Sequence, residues 1–322
     1  MGKNNQFWPE SLIRFTNGRF ETMSNRIKSE SVYRIDHVPG EEVDPAEEFD
    51  NIHNYREFDE QGNLILEIGY TREGDVADKI AYKYDTEGRQ IETMVYGEFD
   101  EVLERKETVF NASGRRIKEI MHYLDGSADI HEFFYDENGR LTGMTVKDDE
   151  DELEFSEKYS YEGDKMVRWE RWDDEDEMIF KQEDEYKDGA LITRTTWSDE
   201  EEEPFTVVQH FTATGHLQEE LRYNNNEELI ERNIYEENET GHVVRLVEEN
   251  RQRKNTTEFE YDESGRITHQ AETNLAGDLN HEVFRFYDET GEPVKTTVFA
   301  LNRYNNQPVA YTLVYKREWY QD

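Results

Sequence analysis

Tyr84-Asp-Thr-Glu-Gly-Arg89 decides the reading of this chain, because it returns almost unchanged as Tyr135-Asp-Glu-Asn-Gly-Arg140 and Tyr261-Asp-Glu-Ser-Gly-Arg266. Asp at the head of such a stretch can hydrogen-bond the backbone two residues on. Glycine supplies the left-handed conformation that ends a type I turn with a G1 bulge. That is hairpin chemistry. Looser copies, an aromatic followed four positions later by glycine, begin at Phe58, Phe110, Phe211 and Tyr287. Tyr186 with Gly189 is one residue shorter, and Tyr161 with Gly163 and Tyr235 with Gly241 are distorted. The ten glycines of these turns, Gly62, Gly88, Gly114, Gly139, Gly163, Gly189, Gly215, Gly241, Gly265 and Gly291, lie 24–26 residues apart. A fixed period of this kind means one small unit copied in space.

Outward from each turn the chain alternates with a period of two. Leu153, Phe155, Glu157, Tyr159 and Tyr161 lead into one turn; Leu64, Leu66, Ile68 and Tyr70 leave another; Val309, Tyr311, Leu313 and Tyr315 close the series. Alternation rich in Tyr, Phe, Val, Ile and Thr is the strand signal. Midway through each unit lies a second, polar turn, such as Glu73-Gly74-Asp75 or Ala276-Gly277-Asp278. Each unit therefore reads strand, turn, strand, turn, and no stretch sustains a helical period. The fold expected is all-β: an elongated array of about ten 26-residue β-hairpin repeats over residues 54–322, forming an extended twisted sheet or a β-solenoid. Residues 1–53 are expected to form an N-terminal cap or arm and an acidic loop. About twenty strands at about 4.8 Å each would make a sheet roughly 95 Å long, which must twist, curl or split.

The Tyr-Asp-x-x-Gly-Arg copies resemble the YD (Rhs-type) repeats of bacterial proteins, whose unit carries the same residues followed by an apolar one. They are also similar to the MORN-type repeats of some bacterial antitoxin and immunity proteins. The resemblance covers about residues 54–316. It implies a β-hairpin repeat protein. Large Rhs proteins build a closed shell around a toxin from such repeats, a function that does not carry over to a chain this short.

Only 34% of the 322 residues are hydrophobic, and Gln182, Asp184 and Gln209 stand in phase with inward aromatics, so the expected core is thin. Aromatics, at 13%, would supply much of the burial. The net charge of −40, from 77 acidic against 37 basic residues, argues against nucleic acid and anionic membranes, which need positive surface. It permits a basic protein partner or cations, and it also serves solubility and discourages edge-to-edge pairing. The chain has no cysteine, which removes disulfides, thiol catalysis and Cys-based zinc sites. The start, Met1-Gly-Lys-Asn-Asn-Gln-Phe-Trp-Pro, has no apolar signal core, and a cytoplasmic protein is expected unless an export signal is missing from this sequence.

Residues 1–35 carry six basic residues against three acidic ones. They read either as a cap on the array or as an arm that docks a partner through Phe7 and Trp8. Three consecutive mid-unit turns are wholly acidic: Asp148-Asp-Glu-Asp-Glu152, Asp173-Asp-Glu-Asp-Glu177 and Asp199-Glu-Glu-Glu-Glu203. Asp148, Asp149, Asp173, Asp174, Glu200 and Glu201 are therefore candidates for binding a Lys/Arg-rich partner. The plainer reading is a solvated loop edge, and a third is a Ca²⁺ ladder, although no EF-hand spacing is present. Trp169, Trp172 and Trp197 in the same units mark either a protein or sugar surface or simple cross-strand packing. The nine histidines are scattered and no nucleophile elbow or phosphate loop occurs, so no enzyme and no cofactor is expected. The function expected is that of a non-enzymatic scaffold presenting an acidic β-repeat surface to a protein partner. The alternatives are an immunity or antitoxin protein masking a basic toxin, and a carbohydrate-binding module.

Overall fold

The computed structural model describes residues 26–199, 203–301 and 307–320. These hold 22 strands, β1 to β22 in chain order, and no helix. Every strand pairs antiparallel with its neighbours in sequence. In addition β1 (Ile27–His37) pairs with β22 (Pro308–Trp319), from Ile27 opposite Trp319 to His37 opposite Ala310. The sheet closes on itself as a 22-stranded antiparallel barrel.

This pairing overturns the open array expected from the sequence. The molecule is neither an extended twisted sheet nor a β-solenoid. The strand that makes the difference, β1, belongs to the segment ahead of the repeats, where the 24–26-residue period says nothing. An open sheet of similar units would leave two edges of unpaired N–H and C=O groups, and closure removes both. With strands about 4.8 Å apart, a circular barrel of this size is roughly 34 Å across, and wider with strand tilt.

The wall is a single layer. Among the described residues nine apolar side chains are buried, and the one buried cluster is Phe133, Met144 and Val146 with Tyr135, Leu141 and Phe155 packed against it. It spans β8 (Ala128–Tyr135), β9 (Leu141–Lys147) and β10 (Leu153–Glu162).

What holds successive units together is the repeated hexapeptide itself. Asp85 Oδ1 accepts the N–H groups of Glu87 (2.9 Å) and Arg89 (3.0 Å), and Asp136 and Asp262 do the same in their turns. The N–H of the arginine four residues on, with help from its guanidinium, holds these carboxyls below the usual Asp range. The turn tyrosine then reaches one unit back: Tyr84, Tyr135, Tyr161, Tyr186, Tyr261 and Tyr287 each donate their hydroxyl to a backbone carbonyl, on Leu64, Arg116, Leu141, Met166, Val243 and Ile267 respectively. A basic residue one or two positions after the glycine reaches one unit forward. Arg89 lies over the Phe110 ring, Arg115 over Tyr135, Arg140 over Tyr161, Lys165 over Tyr186 and Arg266 over Tyr287, at 4.6–5.9 Å from ring centroid. His242 stacks on Tyr261 in the same position, at 4.7 Å. Tyr, Asp, Gly and Arg are thus the four parts of one link, repeated around the rim.

The glycine has two jobs in that link. Gly139 and Gly265 sit at φ +81° and +78°, and a Cβ at Gly265 would lie 2.9 Å from His242 Cε1. Valine at either position is expected to destabilise the barrel by about 1 kcal/mol or more, since a β-branched residue resists the left-handed region. Urea unfolding measures it. Equal tolerance of valine at Glu137 and at Gly139 would contradict this account of the turn.

Candidate interaction surface

Because all strands alternate in direction, the two kinds of turn collect at opposite ends of the barrel. The hexapeptide turns form one rim, where carboxylates are matched by Arg89, Arg140 and Arg266. The mid-unit turns form the other. The turns at 148–152 and 173–177 are consecutive on this second rim, each five acidic residues in five positions, and the sequence carries a third such run at 199–203 between the next two strands, Ala190–Ser198 and Phe205–Phe211. Neighbouring turns stand two strands apart, so the clusters at 148–152 and 173–177 lie about 10 Å from each other, close to one Debye length at physiological salt.

Within these turns the acids divide into two kinds. Asp148 Oδ1 accepts the N–H groups of Glu150 (3.0 Å) and Glu152 (2.8 Å), and Asp173 Oδ1 those of Glu175 (3.0 Å) and Glu177 (2.8 Å). Asp151 and Asp176 take φ of +62° to +67°, the conformation that Gly74, Gly126 and Gly277 supply elsewhere on this rim, and Asp151 also pairs with Lys147 at 2.6 Å. These four residues build the turns. Asp149 and Asp174 are exposed and carry no such duty. Glu200, Glu201, Phe7 and Trp8 lie outside the described residues. Among the described residues no group of three or more His, Asp or Glu side chains gathers in a metal-holding arrangement.

The tryptophans do not share a platform. Strand register puts Trp169 opposite Tyr159 and Gln182, whereas Trp172 lies opposite Ser156 and Trp197 opposite Lys181, on the other face of the sheet. Trp169 is stacked on Tyr159 at 5.8 Å and packed on Phe180 at 4.4 Å, so its faces are already taken.

Around Trp169 lies a network that composition alone does not show. Glu157 on β10 is buried, accepts two N–H groups of Arg171 (3.0 and 2.7 Å), and takes the Tyr159 hydroxyl. Burial, then this hydrogen bond, drives the Tyr159 hydroxyl well above its ordinary pKa. Two strands on, Asp184 of β12 (Met178–Lys187) receives a two-pronged contact from Arg194 of β13 (Ala190–Ser198), at 2.8 and 2.7 Å, and a third hydrogen bond from Gln182 at 3.1 Å. The in-phase polar residues Gln182 and Asp184 gave the only sequence signal for this network; the pairing partners needed the register.

The second feature not read from the sequence is an apolar cleft of about 560 Å³. It lies between the connection from β1 to β2 (Ile52–Phe58) and the wall formed by β20 (Leu279–Tyr287), β21 (Pro293–Leu301) and β22. Leu279, Phe284, Phe286, Phe299 and Val43 line it. Lys295 donates to the Val43 carbonyl at 3.4 Å and Lys316 to that of Pro45, which fastens the connection onto the sheet.

No protein-family model and no curated protein matches the chain. Among solved structures, a porin-like protein from Bacteroides uniformis aligns over 91% of this chain and 97% of its own, at 8% identity and a TM-score of 0.33. TcdB2-TccC3 aligns over 77% of this chain at 11% identity and a TM-score of 0.31, and this chain spans 18% of that one. Likenesses this low carry no argument about what the barrel does.

Proposed function

We propose that this is a non-enzymatic binding protein, a YD-like hairpin-repeat barrel that presents its acidic rim to a basic protein partner. The observation that carries the reading is the segregation of turns by strand alternation: wholly acidic turns at 148–152 and 173–177 stand side by side on one rim, while three turns of the opposite rim pair their aspartate with Arg89, Arg140 and Arg266. A field of one sign along this arc steers an oppositely charged partner and speeds its encounter. An immunity-type protein that covers a basic toxin is one form of the same chemistry. Trp169, on the face opposite Trp172 and Trp197 and already stacked on Tyr159, adds nothing to a sugar platform.

An aqueous setting accords with the wall. A barrel that spans a bilayer needs an outward apolar band. Here Glu157, Arg171, Asp184 and Arg194 occupy one face at mid-strand, and Lys158, Glu170, Lys181 and Glu183 the other.

The test compares the native chain with a variant carrying Asp148, Asp149, Asp173 and Asp174→Asn and Glu200 and Glu201→Gln, both used as baits in an extract of the source cells. Asn keeps the turn acceptor, as Asn224 and Asn274 do on the same rim, so the charge is removed without the fold. The native chain is expected to retain a basic protein whose capture fades between about 0.05 and 0.3 M salt, and the variant to lose it. Capture that is indifferent to both salt and these six substitutions would overturn the reading.

A further inference from the structure

The apolar cleft beside the β1–β2 connection belongs to neither kind of turn. Its volume, about 560 Å³, lies within the range of small-molecule sites, about 300–1,000 Å³. Register orders its floor along one face of the wall: Glu282 stands opposite Phe299, Phe284 opposite Thr297 and Phe286 opposite Lys295. The Phe284 ring is fixed by its stack on His269, at 4.4 Å, and buried Ala310 walls the β22 side. The two ends of this floor differ in charge. Glu282 lies toward the mid-unit turns, in the same row as Phe299, Ala310 and His37, and Glu41 is tied there by accepting the Val38 N–H at 3.2 Å. Lys295 lies at the other end, about 13 Å away along the strands, where the connection crosses the sheet at Val43.

Lys295 is the group in the cleft with bonding capacity to spare. Its ammonium has three N–H donors. One reaches the Val43 carbonyl at 3.4 Å, near the long limit of a hydrogen bond, and the charge sits 4.6 Å over the Phe286 ring. Among the described residues it has no carboxylate partner, whereas Lys79, Lys147 and Lys181 each pair with one at 2.6–2.7 Å. A lysine without an acid is unexpected in a chain with 77 acidic residues. We propose that the cleft binds a small monocarboxylate with an extended apolar body. Its carboxylate accepts from Lys295, and its tail lies over Phe286 and Phe299 toward the acidic end. The charged head gains a charge-assisted hydrogen bond, and the tail gains by leaving water. Glu41 and Glu282 at the far end repel a second negative charge, so the site selects against dicarboxylates of the same length. This site is separate from the acidic rim, and the two readings stand or fall independently.

Calorimetric titration of the full chain with octanoate tests it. Octan-1-ol, which keeps the tail and lacks the charge, and octanedioate, which adds a second carboxylate, serve as comparisons. Octanoate is expected to saturate one site per chain and to bind at least about tenfold more tightly than either. Lys295→Met keeps the length of the side chain and removes its charge. It should lower octanoate to the level of octanol and leave octanol unchanged, with circular dichroism confirming that the barrel stays folded. Equal affinity of the native chain for octanoate and octanol would overturn the proposal without recourse to any variant. A Lys295→Met chain that keeps the preference would overturn it as well, as would uptake of octanoate that does not saturate. A ligand-free dimer that octanoate fails to dissociate would also overturn it, and would assign the cleft to a second copy.

Discussion

Replacing Arg317 with alanine is expected to destabilise the barrel by about 3–5 kcal/mol and to produce dimers or larger assemblies. The side chain of Arg317 is 5% exposed and pairs across the seam with Glu30, itself 10% exposed, at 2.5 Å; Arg56 approaches the same carboxylate at 3.8 Å. Arg317 also donates to the Pro293 carbonyl at 2.8 Å, so one guanidinium ties β1, β21 and β22. Its loss leaves Glu30 buried without its main partner. The damage is not local to a turn, because it falls on the ladder that joins the two ends of the chain, and losing that ladder exposes two full edges. Urea denaturation gives the first effect and sedimentation the second. A monomer within about 1 kcal/mol of the native stability would show that the backbone ladder alone closes the barrel.

A loss of about the same size, about 3–5 kcal/mol, is expected when Arg194 is replaced by alanine. The Asp184 side chain is 1% exposed and receives both of its strong hydrogen bonds from Arg194. Gln182, its remaining partner, cannot neutralise a buried carboxylate. The double replacement Asp184→Leu with Arg194→Met behaves differently: it removes charge and counter-charge together and is expected to be near neutral or stabilising. The contrast between the two variants separates a pair that is costly to break from a pair that adds stability. If the double variant is as damaged as the single one, the network around Gln182 contributes through more than charge balance.

The turns were legible in the sequence because their chemistry is local. Asp85, Gly88 and Arg89 lie within one turn of backbone, and their hydrogen bonds follow from spacing alone. Tyr84 was legible only as a strand residue, since its hydroxyl partner, Leu64, belongs to the preceding unit. Closure was not legible, because β1 shares neither the period nor the hexapeptide, and its partner lies at the far end of the chain. The acidic stretches 148–152 and 173–177 were read correctly as turns, yet Asp148 and Asp173 stood as a docking strip, a cation ladder or a solvated edge and not as parts of the turn itself. Asn224 and Asn274, at the same place in sister units, carried the signal that an acceptor rather than a charge is required there. The division of Trp169 from Trp172 and Trp197 follows from strand alternation and register, and only the register tells which residues stand opposite each ring.

The most direct test of closure is a disulfide across the seam. Ile35 and Thr312 are directly opposed in the β1–β22 ladder, at a Cα separation of about 4.5–5.5 Å that suits a disulfide. In a chain otherwise free of cysteine, the pair Ile35→Cys and Thr312→Cys is oxidised in dilute solution and the product is sized under denaturing conditions without reductant. The barrel predicts nearly complete intramolecular linkage that raises the melting temperature, because 20 strands lie between the two positions in sequence and none between them in space. An open array would hold the two positions at opposite ends of the sheet. Free thiols or only intermolecular disulfides would contradict the closed barrel.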